Sequence, residues 1–178
     1  MRETQKFAGS QLEKLVGQLV EAIANRHSTT HSLAVAGIAN GGLVLGRLIA
    51  EKLSERLGRD IPCGTVNIAF QRDDIGSKPI PLDAENTEFP FDVNDATIVL
   101  VDDVFFSGRT ARAAMNEVFD QGRPAALELA VLCDRGHRKL PIHPDYVGIT
   151  VKTDPASKVV LQLDANHPHE GALRIFEQ

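Results

Sequence analysis

Two adjacent carboxylates, Asp102 and Asp103, follow an apolar run and precede a small-residue turn, Ser107-Gly108-Arg109-Thr110, in the stretch "TIVLVDDVFFSGRTARAAMNEV". Ionised carboxylates placed there can accept two hydrogen bonds from a vicinal diol such as a ribose, or help to hold a metal ion. The turn leads into a helical pattern. The first amides of a helix have no intrahelical partner, and with the helix dipole they form a site for a phosphate, worth roughly 0.3–2 kcal/mol from the dipole alone. Ser107 and Thr110 add hydroxyl donors. Paired aspartates at a strand end also cap turns, and Ser-Gly turns also simply start helices. It is their order and spacing that point to one ligand, a phosphate joined to a ribose. The spacing of a Walker A loop is absent, and no G-x-G-x-x-G follows a strand, which disfavours nucleoside triphosphatase and dinucleotide-binding chemistry.

The elements that must position these groups alternate between two periodicities. Ser10-Gln11-Leu12-Glu13 reads as a capping box, and Leu12, Leu15, Val16, Leu19, Val20 and Ile23 recur at helical spacing to about Asn25. "SLAVAGIA" (32–39) is a short apolar strand, and Gly41-Gly42 turns it into a helix ending near Gly58. Further strands are expected at 65–70, 97–101 and 126–133, with a helix after Gly108 closed by Gly122 as its C′ residue. Shorter extended pieces fall at 146–151 and 159–163, and a strand or helix follows Gly171. Apolar strands alternating with helices predict an α/β fold whose parallel sheet is buried on both faces and binds ligands beyond the carboxyl ends of its strands. Both turn motifs sit at such ends. The stretch 71–95, with three prolines and many charges, breaks the pattern and reads either as a lid or as a plain surface loop.

At 178 residues and 43% hydrophobic content the chain is expected to form one domain spanning 1–178. No apolar run approaches the ~18 residues needed to cross a bilayer, and no signal-peptide core follows the first residues, so a cytoplasmic protein without membrane contact is expected. Cys63 and Cys133 lack C-x-x-C spacing and read as buried free thiols. His167-Pro168-His169-Glu170 lacks a third ligand of obvious spacing and is not read as a metal site. The net charge of −5 counts against a chain that is basic throughout.

The stretch "IVLVDDVFFSGRT" resembles the signature of type I phosphoribosyltransferases, with serine in place of the commoner threonine. More closely, "GRTARAAMNEVFDQGRPAALELAVLCDRGHRKLPI", "QRDDIGSK" and "VVLQLD" are similar to the PyrR family, pyrimidine operon attenuation regulators with uracil phosphoribosyltransferase activity. The resemblance covers nearly all of 33–164, and "DRGHR" after a strand is its distinguishing string. It implies a parallel five-stranded core with a small hood, Mg2+ as cofactor, and conversion of uracil and 5-phosphoribosyl 1-pyrophosphate (PRPP) to UMP and pyrophosphate in pyrimidine salvage. It further implies that Asp102 and Asp103 bind the ribose hydroxyls, directly or with the metal. Ser107, Gly108, Arg109 and Thr110 would hold the 5′-phosphate, and Val104 and Phe106 would be further substrate-binding residues. Ala39, Asn40 and Gly41 would lie near pyrophosphate, with Arg72 closing over it from the loop of about 71–95. Arg135, Gly136 and His137 would line the base pocket or its rim. A homo-oligomer, dimer or tetramer, accompanies these expectations.

Two departures carry weight. The family's first turn typically reads Gly-Ile-Lys-Thr-Arg-Gly, whereas this chain has "GIANGG" (37–42), so its cations are gone, and the expectation is either slow catalysis or substitution by Arg72 and Lys78 from the loop. Purine-type relatives carry an aspartate just before the Thr-Gly pair, where this chain has Phe106. A neutral ring accepts no proton, which favours a base whose N–H is already acidic, such as uracil. The basic string Arg135, His137, Arg138 and Lys139 reads as a solvated loop. The alternative is contact with RNA phosphates, in a nucleotide-sensing regulator with weak or no catalysis.

Overall fold

Six consecutive buried residues, Leu33–Ile38, form a strand with no polar face, as expected of a strand covered on both sides. In the computed structural model, which describes residues 1–39, 41–68, 86–164 and 170–178, this strand (β2) lies inside a five-stranded parallel sheet. Its partners are β3 (Cys63–Val66), β4 (Thr97–Phe105), β5 (Ala126–Asp134) and β6 (Tyr146–Thr150), in the order β3-β2-β4-β5-β6. Helices α1 (Ser10–Arg26) and α2 (Gly42–Leu57) cover one face and α3 (Arg109–Gln121) the other. Strands β1 (Arg2–Ala8), β7 (Lys158–Gln162) and β8 (Ala172–Glu177) make a separate antiparallel sheet, β1-β8-β7, which is the small hood.

Alternation along β4 builds two cores. Val99 and Val101 join the cluster under α1, α2 and the hood, while Ile98 and Leu100 join the one under α3. The hood contributes Leu173 and Ile175 to the first cluster, both essentially inaccessible, which ties the two sheets together. Among the described residues no helix is long and apolar enough to cross a membrane.

The structure corrects several local expectations. Ser10 does not cap α1: Gly9 is the cap residue at φ 53°, no side chain caps the helix, and the Glu13 amide takes the Gly9 carbonyl at 3.0 Å. Gly122 is extended, φ 173°, and not left-handed; what it needs is space, because a Cβ there would lie 3.0 Å from both Asn94 Oδ1 and Val93 Cγ1. Strand β4 continues past Val101 through both aspartates to Phe105. The segment 86–95, placed in the loop by its prolines and charges, is partly packed: Glu88 bridges to Thr65, Val93 is buried, and Phe89 and Phe91 lie against the α3-side core. The segment after Gly171 is a strand, and Arg2–Ala8, for which no element was expected, pairs with it. Both cysteines are free, Cys133 being buried.

At the amino end of β5 a polar cluster sits within apolar surroundings. Glu128 accepts from Tyr146 Oη at 2.6 Å and from His27 Nε2 at 2.8 Å, and pairs with Arg26 at 2.9 Å. Burial pushes the Glu128 carboxyl up, but the hydrogen bonds from Tyr146 and His27 and the charge of Arg26 outweigh it and hold the group below its ordinary value. Such a group contributes its stability fully above the unfolded pKa of about 4.3 and loses it as pH falls through the folded value. Tyr146→Phe should therefore cost about 1.5–3 kcal/mol at pH 7, the range for a hydrogen bond to a charged group, and less near pH 3. Urea denaturation at the two pH values measures this; equal penalties would show that the hydroxyl does not act through the carboxylate charge.

Candidate active site

The strand order reverses direction between β2 and β4: from β2 the chain steps outward to β3, then returns to lay β4 on the other side. In open parallel sheets the crevice at this switch point, beyond the carboxyl ends of the strands, is where ligands bind. The turn after β2 and the acidic pair with its following turn after β4 are thus brought to one place.

Strand β2 leaves the ladder after Gly37 pairs with Val101, while β4 runs on. The next β4 amides are satisfied by side chains: Asp103 N–H donates to Asp102 Oδ1 at 3.0 Å and Val104 N–H to Asp103 Oδ1 at 2.8 Å. These bonds orient both carboxylates. The alternation breaks here, with Val104 packing toward the α1/α2-side core and Phe105 into the α3-side core. The Val104 side chain is half-buried and packs against the α1/α2-side core.

The β2 turn lies directly on these groups. A Cβ at Gly41 would fall 2.2 Å from Asp103 Oδ2, and one at Gly42 would fall 2.2 Å from the Val101 carbonyl. Ala39 donates its amide to the Val66 carbonyl at 2.9 Å, anchoring the start of the turn to β3. Asn40, Arg72 and Lys78 lie outside the described residues, as do His167 and His169.

The two carboxyls are not equivalent. Asp102 is 7% exposed; burial, reinforced by the neighbouring Asp103 carboxylate, pushes its pKa well above the ordinary range.

Gly108 holds the left-handed conformation, φ 88°, that lets the chain turn from β4 into α3. The Arg109 amide takes Ser107 Oγ at 3.3 Å and the Arg112 amide the Gly108 carbonyl at 3.0 Å. The amides of Thr110 and Ala111 have no acceptor among the described residues, which is the arrangement expected of an anion site at a helix start. Thr110 is half-buried and Arg109 exposed.

The string 134–138 folds against this turn. Arg135 N–H donates to the Phe105 carbonyl at 3.1 Å and Lys139 N–H to the Ser107 carbonyl at 3.0 Å. Phe106 is flanked by the Arg135 guanidinium, 4.4 Å from its ring centre, and by the His137 ring edge-on at 5.8 Å. Gly136 and His137 both have positive φ, and Gly136 N–H donates to Asp134 Oδ1 at 2.8 Å. Arg138 pairs with Asp134 Oδ2 at 2.7 Å. The basic string is therefore not a simple solvated loop: Arg135 is buried and Arg138 is committed to Asp134. Thr153, at the carboxyl end of β6, went unnoticed in the sequence. Its hydroxyl accepts from Arg135 Nε at 3.2 Å and its carbonyl from His137 Nε2 at 2.5 Å. The signal available was its position after the next parallel strand, on the same edge of the sheet. A neighbouring cavity of about 440 Å³, bounded by Asp154, Ser157, Glu177 and Gln178, is lined by two carboxylates and no cation, and does not suit a polyphosphate.

A parallel sheet of this order carries an acidic pair and an open helix start at its switch point, and the phosphoribosyl transferase domain family matches residues 8–166, so the chain is a phosphoribosyltransferase-family protein. The Bifunctional protein PyrR of Geobacter sp. (strain M21) is 41% identical over 167 residues, covering 93% of this chain and 94% of that protein. That of Listeria welshimeri is 41% identical over 155 residues, 85% of each. The chain belongs to the PyrR family. Among solved structures, the HGPRT-ase of Leishmania tarentolae in complex with GMP shares the fold at TM-score 0.67 and 19% identity, covering 89% of this chain and 85% of that one. Hypoxanthine phosphoribosyltransferase from Trypanosoma cruzi, in complex with the product IMP, does so at TM-score 0.63 and 15% identity, covering 90% and 82%.

Gly41→Ala tests the contact between the two turns. The added methyl must displace the Asp103 carboxylate, since the sub-3 Å approach leaves it no room. Calorimetric affinity for ribose 5-phosphate should fall at least about tenfold, equivalent to about 1.4 kcal/mol, with the fold intact by circular dichroism. Unchanged affinity would separate Gly41 from the ligand site.

Proposed function

We propose that the protein transfers the 5-phosphoribosyl group of PRPP to uracil, with inversion at the anomeric carbon, giving UMP and pyrophosphate. The carrying observation is that the acidic pair of β4, the β2 turn packed on Asp103 and the open amides of α3 meet at one switch point in a chain of the PyrR family. On this reading Asp102 and Asp103 hold the ribose hydroxyls, and Ser107, Gly108, Arg109 and Thr110 hold the 5′-phosphate. Ala39, Asn40 and Gly41 lie toward pyrophosphate. Arg135, Gly136 and His137 border the base, and Arg72 acts from the loop segment outside the described residues. The whole of 1–178 is read as one such domain, in a cytoplasmic homo-oligomer.

As pyrophosphate departs, positive charge develops on the ribose ring. Opposite unit charges 4 Å apart attract by about 1 kcal/mol in water and about 4 at an effective dielectric of 20. Asp102, poised above its ordinary pKa by burial, becomes a better counter-charge as that positive charge appears. The donor set also suits Mg2+: two oxygen-bearing carboxylates side by side, and among the described residues no group of three or more ligating side chains. Mg2+ characteristically binds through one or two carboxylates plus substrate oxygens and water. Asp102 and Asp103 would hold it, directly or through water, and it would supply neutralisation of the pyrophosphate.

Phe106 stands where an acid–base group could assist the base and offers none, which favours a nucleobase with an acidic N–H. No specific observation favours the RNA-binding alternative, and Arg138 of the basic string is paired with Asp134 within the protein.

Purified protein with uracil, PRPP and Mg2+ should release pyrophosphate; no uracil-dependent release between pH 6 and 9 would remove the proposal. Asp103→Asn should lower kcat/KM by the equivalent of about 2–4 kcal/mol, as loss of a transition-state charge contact does. A wild-type rate in that variant would show that Asp103 carries no such contact.

A further inference from the structure

Among the described residues β3 is a four-residue edge strand, paired with β2 along one side. Its carboxyl end nevertheless supports the β2 turn, because the Val66 carbonyl accepts the Ala39 amide at 2.9 Å. The next amide, Asn67 N–H, lies beyond the ladder and donates to Thr87 Oγ1 at 3.0 Å. The Thr87 hydroxyl in turn donates to Glu117 Oε2 on α3 at 2.8 Å. A hydroxyl has one proton to give, so the 3.4 Å contact from Thr87 Oγ1 to the Asn67 carbonyl is secondary. Amide, hydroxyl and carboxylate form one chain from buried Asn67 to half-buried Glu117, ending on a charged acceptor that strengthens the bond before it. Two backbone bonds between Thr65 and Glu88, at 2.8 and 2.9 Å, lie beside it. The two anionic ends of the site are therefore held differently. The turn into α3 is fixed by the Arg135–Phe105 and Lys139–Ser107 backbone bonds, which do not pass through Thr87. The β2 turn leans on β3 through Ala39, and the end of β3 leans on Thr87.

We infer that Thr87 is a positioning residue for the pyrophosphate end of the substrate. Its hydroxyl, held by Glu117, fixes the carboxyl end of β3 and through Ala39 the turn after β2. The inference rests on the transferase reading above, in which that turn lies toward pyrophosphate. Thr87 acts through Asn67 and Ala39, not on the substrate itself. A short edge strand has little else to stop it shifting, and a small displacement of a turn misplaces every group aimed at the ligand. The effect is selective by geometry. PRPP spans both anionic ends of the site, whereas ribose 5-phosphate needs only the acidic pair and the start of α3, so loosening Thr87 weakens the first ligand and spares the second.

Calorimetry with PRPP and Mg2+, and separately with ribose 5-phosphate, tests this on the whole chain. Thr87→Val removes the hydroxyl and keeps the β-branched shape. Affinity for PRPP should fall about tenfold, the scale of one lost hydrogen bond to a charged group, and that for ribose 5-phosphate by less than about twofold. In the uracil assay KM for PRPP should rise about tenfold while KM for uracil stays unchanged. Thr87→Ser should restore wild-type affinity for PRPP. Glu117→Gln, which keeps an acceptor without the charge, should give an intermediate loss confined to PRPP, and it carries the comparison if the valine variant fails to fold. Equal losses on both ligands, or none on either, would overturn the inference and leave Thr87 a structural residue. Wild-type protein that binds PRPP no more tightly than ribose 5-phosphate would instead overturn the placing of pyrophosphate at the β2 turn, and this inference with it, before any variant is made.

Discussion

The contact on which the site depends is the seating of the Gly41-Gly42 turn against the end of β4. It exists because β2 and β4 are parallel neighbours whose ladder stops at Gly37 and Val101, so that one strand ends in a turn while the other carries its carboxylates onward. The turn then occupies the space that another strand residue would have taken. Its backbone comes so close to Asp103 and to the Val101 carbonyl that neither glycine has room for a side chain. With the carboxylate confined on that side and held by the Val104 amide on another, few orientations remain to it. Pre-organisation of this kind lets a charge act without first reorienting.

That geometry has an electrostatic consequence. The described part of the crevice joins two carboxyls, one of them reluctant to ionise, to a β2 turn that contains no cation. On the proposed reading, a polyanionic substrate would depend there on a divalent cation at the acidic pair for its neutralisation. The helix start at α3 contributes partial charge to the phosphate end alone. The site is therefore built to be completed by its ligands, and the loss of lysine and arginine from "GIANGG" increases that dependence.

Much of this was legible in the residue pattern because periodicity reports burial. The apolar runs of β2, β4 and β5 and the spacing of Leu12 to Ile23 identify buried strands and an amphipathic helix directly, and the acidic pair and the Ser-Gly turn announce the site. What stayed hidden depends on partners distant in the chain. Arg2–Ala8 has an almost wholly exposed pattern and becomes a strand only because β8 offers it a ladder. The extension of β4 to Phe105 was masked because two aspartates in a strand are poor strand formers, tolerated here since their side chains replace the missing ladder bonds. Phe89, Phe91 and Val93 sit in a charged, proline-bearing stretch, yet the α3-side core draws them in. The commitment of Arg135 to Thr153 and to the carbonyl beyond it joins segments that follow successive strands, which no local spacing encodes.

The two ends of the sheet divide the work. At the carboxyl ends the chain accepts unfavourable local choices: adjacent acids, positive φ at Gly108, Gly136 and His137, and a buried guanidinium among neutral acceptors. At the amino ends the buried polar groups are mutually satisfied, with Glu128 receiving Tyr146, His27 and Arg26 together. A buried carboxylate with three partners favours one packing of α1 against β5 and β6 and so holds the helix layer in register. Strands β4 and β5 are nine residues each, and their largely buried lengths carry that fixed position toward the far end.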